Sequence, residues 1–291
     1  MTQLFTALSR RFRRYLPLFK SLQTGLLVLT GLAGFMSTRC PFMNWQTTLA
    51  VAGSLTLAVI GSTILNMWYD RDIDAKMGRT TARPIPSGEV SPTEALILGL
   101  VISALGVAWA LSMDVLYGIV VFAGLFFDVV IYTIWLKRRT PWSILWGGIA
   151  GGMPVLAGHA LGSGRIEWVG IVLALAVVFW IPTHIMTFSM RYYDDYQSAG
   201  IPTFPSAYGF AKTRMVIAIS SILAGAMMAL AAYGVGLTLG YWRLLIVLTG
   251  GLLLLAVSSL MRPSERANFG LFKYASLYML GIMLLLMLVV Q

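Results

Sequence analysis

Residues 47–83 read TTLAVAGSLTLAVIGSTILNMWYDRDIDAKMGRTTAR. Residues 47–67 carry no charge and are long enough, as a helix, to cross a hydrocarbon core of roughly 30 Å. Charge then arrives abruptly in Asp70, Arg71, Asp72, Asp74 and Lys76, with Arg79 and Arg83 following. A membrane helix is therefore delivering acidic residues to a bilayer surface. Asn66, Asp70 and Asp74 recur every fourth residue, and on an α-helix positions i, i+4 and i+8 drift only slowly around the axis. One amide and two carboxylates thus project from a single face, which suits a divalent cation. Mg²⁺ usually binds through one or two carboxylates and keeps its other positions for water and substrate phosphates, so the arrangement reads as a diphosphate site.

The helical pattern of this segment can continue to about Gly78, where a glycine would favour a left-handed cap. Beyond it, Pro84 and Pro86 exclude a regular helix and stiffen the chain, presenting Arg79 and Arg83 over the acidic face. Guanidinium groups match phosphate oxygens in bidentate geometry. Taken singly, the same residues are ordinary: two arginines can be topology anchors, and a DxxxD a solvated helix end.

The rest of the chain has the same character. Of 291 residues 58% are hydrophobic and 11% charged, with a mean hydropathy of +0.81, far from a soluble domain. Apolar stretches near 16–37, 47–67, 94–112, 115–136, 143–162, 167–189, 214–237, 241–260 and 270–290 predict an all-α polytopic protein of nine transmembrane helices. We read residues 1–291 as a single membrane-embedded domain, opened by a basic segment over 1–15. The apolar run that follows is too long for a signal-peptide core, so it reads as the first membrane helix.

Basic residues in short loops stay on the cytoplasmic side. With the N-terminus cytoplasmic and the C-terminus outside, that side collects 18 of the 21 basic residues, from Arg10, Arg11, Arg13, Arg14 and Lys20 through to Arg262, Arg266 and Lys273. Only Arg39, Arg165 and Arg243 fall outside. This bias and anionic lipid headgroups account for the net charge of +10, and no nucleic-acid module is visible. Cys40 is the lone cysteine, which excludes a disulfide framework and a cysteine metal cluster. A prokaryotic plasma membrane is the simplest location.

Polar residues concentrate in two loops on the predicted cytoplasmic side, 69–93 and 191–212, both far longer than the usual connection of about 4 to 6 residues. The second, RYYDDYQSAGIPTFPSAYG, opens on Asp194 and Asp195, which could face the first acidic segment across one metal-diphosphate site; a DD pair alone is more often a turn former. Lys137, Arg138 and Arg139 close the fourth span and are an ordinary topology signal, although one of them could meet a diphosphate. Two ionisable residues lie inside apolar runs. Asp128 costs about 3 kcal/mol or more at mid-membrane unless it faces the bundle interior, and Tyr132, one turn on, is its predicted hydrogen-bond partner. His184 lies in WIPTHIM beside Pro182, near the inner end of the sixth span, whereas His159 receives no role.

Three separated blocks now carry a family likeness: NMWYDRDIDAKMGRTTARPIPSGEVSP, YTIWLKRRTPWSILWGGIAGGMPVLAGHA, and WIPTH followed by DDYQSAGIPTFP. In this order they resemble the intramembrane aromatic prenyltransferase superfamily, in particular its protoheme IX farnesyltransferase (haem O synthase) branch. The resemblance covers roughly residues 60–210, and its nine helices agree with the count above. It implies transfer of a farnesyl group from farnesyl diphosphate to a vinyl group of haem b, the product passing to a haem A synthase. By the same likeness Asn66, Asp70 and Asp74 would hold Mg²⁺ and diphosphate, and Arg79, Arg83, Lys137 and Arg138 would contact phosphate oxygens; Asp194 and Asp195 are the candidate opposite metal wall, with Asp195 counted among the catalytic residues, and His184 and Arg191 are the candidate haem contacts. Relatives often have His-Phe-Trp where this chain has His184, Ile185 and Met186. Other branches carry a second DxxxD where Arg191 here stands four residues before Asp195.

Other readings keep part of the pattern. The acceptor could be a quinone precursor or a lipid headgroup. A secondary transporter would place its ionisable residues near the midplane between broken helices, and here they gather at one face. A purely structural membrane subunit leaves the two long polar loops unexplained.

Overall fold

The structure, a computed structural model, describes residues 14–38 and 44–289. Arg10, Arg11, Arg13, Arg39 and Cys40 lie outside the described residues. Among those described, nine helices are long and apolar enough to span a membrane. They are α1 (Ser21–Met36, preceded by a 3-10 turn over Leu16–Phe19), α2 (Trp45–Tyr69) and α3 (Pro92–Met113). Then come α4 (Val115–Leu136), α5 (Ser143–Ser163) and α6 (Trp168–Arg191). The last three are α7 (Phe204–Val235), α8 (Leu239–Met261) and α9 (Glu265–Val289).

Local chemistry sets most of the boundaries. Asn44 caps α2 by accepting from the Thr47 amide at 2.8 Å, and Ser91 caps α3 ahead of Pro92 by accepting from the Glu94 amide at 3.1 Å. Asp114 accepts from the Tyr117 amide at 2.8 Å, making a tight turn between α3 and α4. Gly236, left-handed at φ 77°, ends α7.

Three expectations change. First, α2 stops at Tyr69 rather than near Gly78: Asp70 leaves helical geometry (φ −86°, ψ 5°) and a short helix Arg71–Asp74 follows. The bonds from the Asp70 amide to the Asn66 carbonyl (2.9 Å) and from the Asp74 amide to the Asp70 carbonyl (2.8 Å) bridge the break, so the four-residue spacing survives it. The left-handed glycine of this loop is Gly88, at φ 81°, and Gly78 is not one. Second, the loop after α6 is largely helical. A short helix covers Tyr193–Ser198, and α7 begins at Phe204, capped by Thr203 and tolerating Pro205 in its first turn, before bending at Gly209 (φ 81°). Third, the last ten residues of α4, Phe127–Leu136, form a π-helix, in which each amide bonds five residues back, as Lys137 does to the Tyr132 carbonyl at 2.8 Å.

Helices α1 and α5 sit at the middle of the bundle. Of the two larger apolar clusters, one is built by α1 to α5 and the other mainly by α5 to α9, and both draw residues from α1 and α5. Lipid offers no hydrophobic drive for helix association, so close backbone approach at small residues does this work. Gly31 and Gly34 of α1 lie directly on α5: a Cβ at Gly158 would run into the Gly31 carbonyl oxygen, and one at Gly34 into the Val155 carbonyl. Gly61 and Gly106 hold α2 against α3 in the same way. Leu100, Phe122, Leu244, Val247 and Leu254 are exposed on the outside, as a lipid-facing surface requires. We expect Gly158→Val to destabilise the detergent-solubilised protein by about 3 kcal/mol in denaturant unfolding. Gly250→Ala, where an added Cβ meets nothing within 4 Å, should cost nothing and match or exceed the parent by up to about 1 kcal/mol through helix propensity.

Candidate active site

The end of α2 meets the π-helical half of α4. In an α-helix, residues five apart diverge by about 140° around the axis, but the π ladder brings them onto one face. Asp128 and Thr133 are five apart, and both reach Asn66: its Nδ2 donates to Asp128 Oδ2 at 2.8 Å, and its Oδ1 accepts from Thr133 Oγ1 at 2.8 Å. Ser62, one turn earlier on α2, donates to the same Asp128 oxygen. The predicted Tyr132 partner is thus replaced by Ser62 and Asn66, because Tyr132 instead aligns with Lys137, its own neighbour five residues on, whose ammonium lies 5.8 Å from the ring centroid.

Two carboxylates are buried at this end of the bundle, Asp70 and Asp74, each 4% exposed. Lys137 is paired with Asp70 Oδ2, and Arg83 with Asp74 Oδ2 at 2.6 Å. The Thr80 hydroxyl, in the intervening loop, donates to the Asp74 carbonyl at 2.9 Å. Arg138 makes a fork on Asp72, at 2.8 and 2.7 Å, donates to the Tyr69 carbonyl at 2.8 Å, and stands 3.7 Å from Asp70. That fork holds the Asp72 carboxyl below the usual carboxylate range. Burial alone would lower the Lys137 ammonium, but the Asp70 charge beside it outweighs burial and raises it. Lys137 and Arg138 therefore meet Asp70, and Arg83 meets Asp74, whereas Asn66 is held by Asp128 and Thr133.

Arg79 does not join them. Its guanidinium lies over the rings of Phe188 (4.8 Å) and Tyr192 (5.3 Å) on the far wall, because the loop turns through the Met77–Arg83 hydrogen bonds instead of extending straight from Gly78. That wall is an aromatic ladder. His184 stacks between Trp180 (4.9 Å) and Phe272 (4.6 Å), with its Nδ1 3.2 Å from Ser276 Oγ. Phe188 extends the row from Phe272 to Tyr192 through tilted ring contacts. Arg191 lies 4.0 Å over Phe269 and 3.4 Å from Glu265. Ile185 is turned outward and Met186 is buried, so the aromatic surface missing from the sequence after His184 comes from α9. The two long loops do meet: Ile73 and Met77 pack with Ile201, and a Cβ on Gly78 would sit 3.6 Å from Asp195 Oδ1. Asp194 is exposed beside it. His159 is tied at the other end of the bundle to Ser37 Oγ at 2.9 Å.

Sequence reading missed one cation of this cluster. Lys20 counted there only as a topology signal, yet it lies within electrostatic range of Asp74 and Asp128 and of Arg83 and Lys137. It is the one described non-glycine residue with a left-handed backbone, φ 39°, a conformation that costs roughly 1 kcal/mol or more. No local sequence signal marks it. Among the described residues no group of three His, Cys, Asp or Glu side chains stands ready to hold a metal. The donor set nevertheless fits a hard cation, being all oxygen, and buried Asp70 Oδ1 has no hydrogen-bond partner. Removing one member of a buried ion pair strands the other, so Lys137→Met should lower stability by about 3 kcal/mol. Lys137→Met with Asp70→Asn should recover most of that loss in thermal unfolding.

Comparison with known proteins bears on this geometry. The chain matches the UbiA prenyltransferase family over residues 27–287. It is 40% identical over 222 residues to a protoheme IX farnesyltransferase of Archaeoglobus fulgidus, a match covering 76% of this chain and 77% of that one. With a protoheme IX farnesyltransferase of Pyrobaculum neutrophilum it shares 36% over 269 residues, 90% of this chain and 94% of the other. Among solved structures, a UbiA homologue from Archaeoglobus fulgidus bound to GPP and Mg²⁺ superposes with a TM-score of 0.70 at 16% identity, over 95% of this chain and 100% of that one, a likeness of fold. With the family's match running from α1 to α9 and relatives this similar along most of their length, the chain belongs to the UbiA prenyltransferase family.

Proposed function

We propose that the protein transfers a farnesyl group from farnesyl diphosphate to a vinyl group of haem b, giving haem O, from the cytoplasmic face of a prokaryotic plasma membrane. Residues 1–291 act as one membrane domain in this reading, with the N-terminus cytoplasmic and the C-terminus outside, and a haem A synthase consumes the product. The relatives named protoheme IX farnesyltransferase support the substrate pair, and the bound GPP and Mg²⁺ of the UbiA homologue support a metal-assisted diphosphate site.

The observation that carries the reading is the neutralisation of two buried carboxylates by the chain's own cations, Asp70 by Lys137 and Asp74 by Arg83. Such pairs are ready to exchange partners. Asn66, Asp70 and Asp74, with Asp195 and Asp194 across the loop contact, would hold Mg²⁺, which supplies Lewis-acid stabilisation of the departing diphosphate. Lys137, Arg83 and Arg138, released from carboxylates, then pair with phosphate oxygens, so that charge stays balanced throughout. Arg79 reaches the same substrate from its aromatic perch.

As the allylic C–O bond breaks, its electron pair leaves with the diphosphate, where these fixed cations stabilise the growing negative charge. The vinyl π electrons form the new C–C bond to the allylic carbon. Water adds to the cation left on the acceptor and loses a proton, leaving the hydroxyethylfarnesyl group. The ladder of Trp180, His184, Phe272 and Phe188 suits a flat aromatic acceptor, and Arg191 at its mouth suits a carboxylate of that acceptor.

The test is incubation of the purified protein with haem b, farnesyl diphosphate and Mg²⁺, followed by mass spectrometry. Haem O should form, and conversion of a phenolic acceptor in its place would refute the haem assignment. Asp70→Ala and Asp74→Ala should each reduce turnover at least about 100-fold, with haem binding retained by absorbance titration.

A further inference from the structure

We propose that Asp128 is a positioning residue of the prenyl-transfer site, acting through Asn66: it fixes which end of that amide can meet a cation. The inference rests on the metal-diphosphate reading above and concerns a side chain which that reading does not use.

A carboxylate inside a spanning helix is costly unless something requires it, and Asp128 makes no ion pair within the described residues. Its Oδ2 instead accepts from two α2 donors, the Ser62 hydroxyl and Asn66 Nδ2. A carboxylate oxygen can only accept, so it selects the NH₂ end of the amide. A flipped Asn66 would set its carbonyl oxygen against Asp128, acceptor against acceptor. With the NH₂ end held, Oδ1 is left as the free end. It carries two lone pairs, and Thr133 Oγ1 occupies one at 2.8 Å. The second is available to a cation, and the nearby negative charge makes that oxygen a better donor to it. This is the role that outer carboxylates play behind histidine ligands, transferred to an amide.

The backbone is shaped for the purpose. Asp128 and Thr133 grip opposite ends of one amide, and only the π-helical register brings residues five apart to the same side chain. Of the charged groups on other elements, Lys20 at the start of α1 lies within electrostatic range of Asp128.

The experiment measures binding of Mn²⁺ with inorganic pyrophosphate to the full-length protein in nanodiscs by electron paramagnetic resonance, alongside the Mg²⁺ dependence of farnesyl transfer. Asp128→Leu should weaken Mn²⁺ binding about 10- to 100-fold. The isosteric Asp128→Asn, which keeps the fold, should weaken it severalfold. Both effects should vanish in an Asn66→Ala background, because Asp128 acts through that amide. In turnover, the Mg²⁺ half-saturation of Asp128→Asn should rise while kcat at saturating Mg²⁺ returns to the parent value. Unchanged Mn²⁺ binding in Asp128→Asn and Asp128→Leu, or equal losses with and without the Asn66 amide, would overturn the role of Asp128 alone. Failure of the unsubstituted protein to bind Mn²⁺ with pyrophosphate would overturn the diphosphate-site reading together with it.

Discussion

Two carboxylates buried at one end of a membrane bundle are the constraint around which this protein is organised. Asp70 and Asp74 stand where neither lipid nor the apolar core can solvate them. An ion buried without a partner costs several kcal/mol, and one buried with a single partner is held by geometry. The partners come from different parts of the chain, Lys137 from the end of α4 and Arg83 from the loop ahead of α3. Helix α4 must therefore end beside α2, and the loop must fold back over both.

The same constraint explains the irregular backbone. A regular α4 could not give Asp128 and Thr133 to one side of Asn66 and also direct Lys137 past Tyr132 toward Asp70. Widening the last ten residues into a π-helix does both. The break in α2 at Asp70 belongs to the same accommodation, since the short helix that follows turns Asp74 inward and leaves Asp72 outside for Arg138. Departures from regular helix thus concentrate where the polar groups meet, and the glycine-mediated contacts between α1 and α5 elsewhere are conventional membrane packing.

Across from the acidic cluster lies a wall of different chemistry. Arg79 and Arg191 rest on aromatic rings, and His184 is held between two of them. A cation over a ring keeps its charge available while its position is fixed. The site consequently has two faces, one of carboxylates balanced by cations and one of stacked aromatics rimmed by cations, joined where the loops after α2 and α6 pack through Ile73, Met77 and Ile201.

The sequence by itself determined the nine spans, because bilayer thickness writes helix length directly into hydropathy, and it singled out Asn66, Asp70 and Asp74, because their four-residue spacing is a local feature that the i to i+4 hydrogen bonds carry across the break in α2. Asp70 and Asp74 were legible from that spacing and Arg83 from the prolines beside it, whereas Lys137 and Arg138 read locally as a topology signal and joined the set only through the family resemblance. The tertiary structure alone decided the pairing. Whether Arg79 faces carboxylates or rings, whether Asp128 bonds to Tyr132 or to Asn66, and whether Lys20 is a loop charge or a member of the cluster all depend on which helices touch and in what register. Helical periodicity assumes a regular backbone, so the π-helical end of α4 was invisible to it, and that register sets where Asp128, Tyr132, Thr133 and Lys137 fall around the helix.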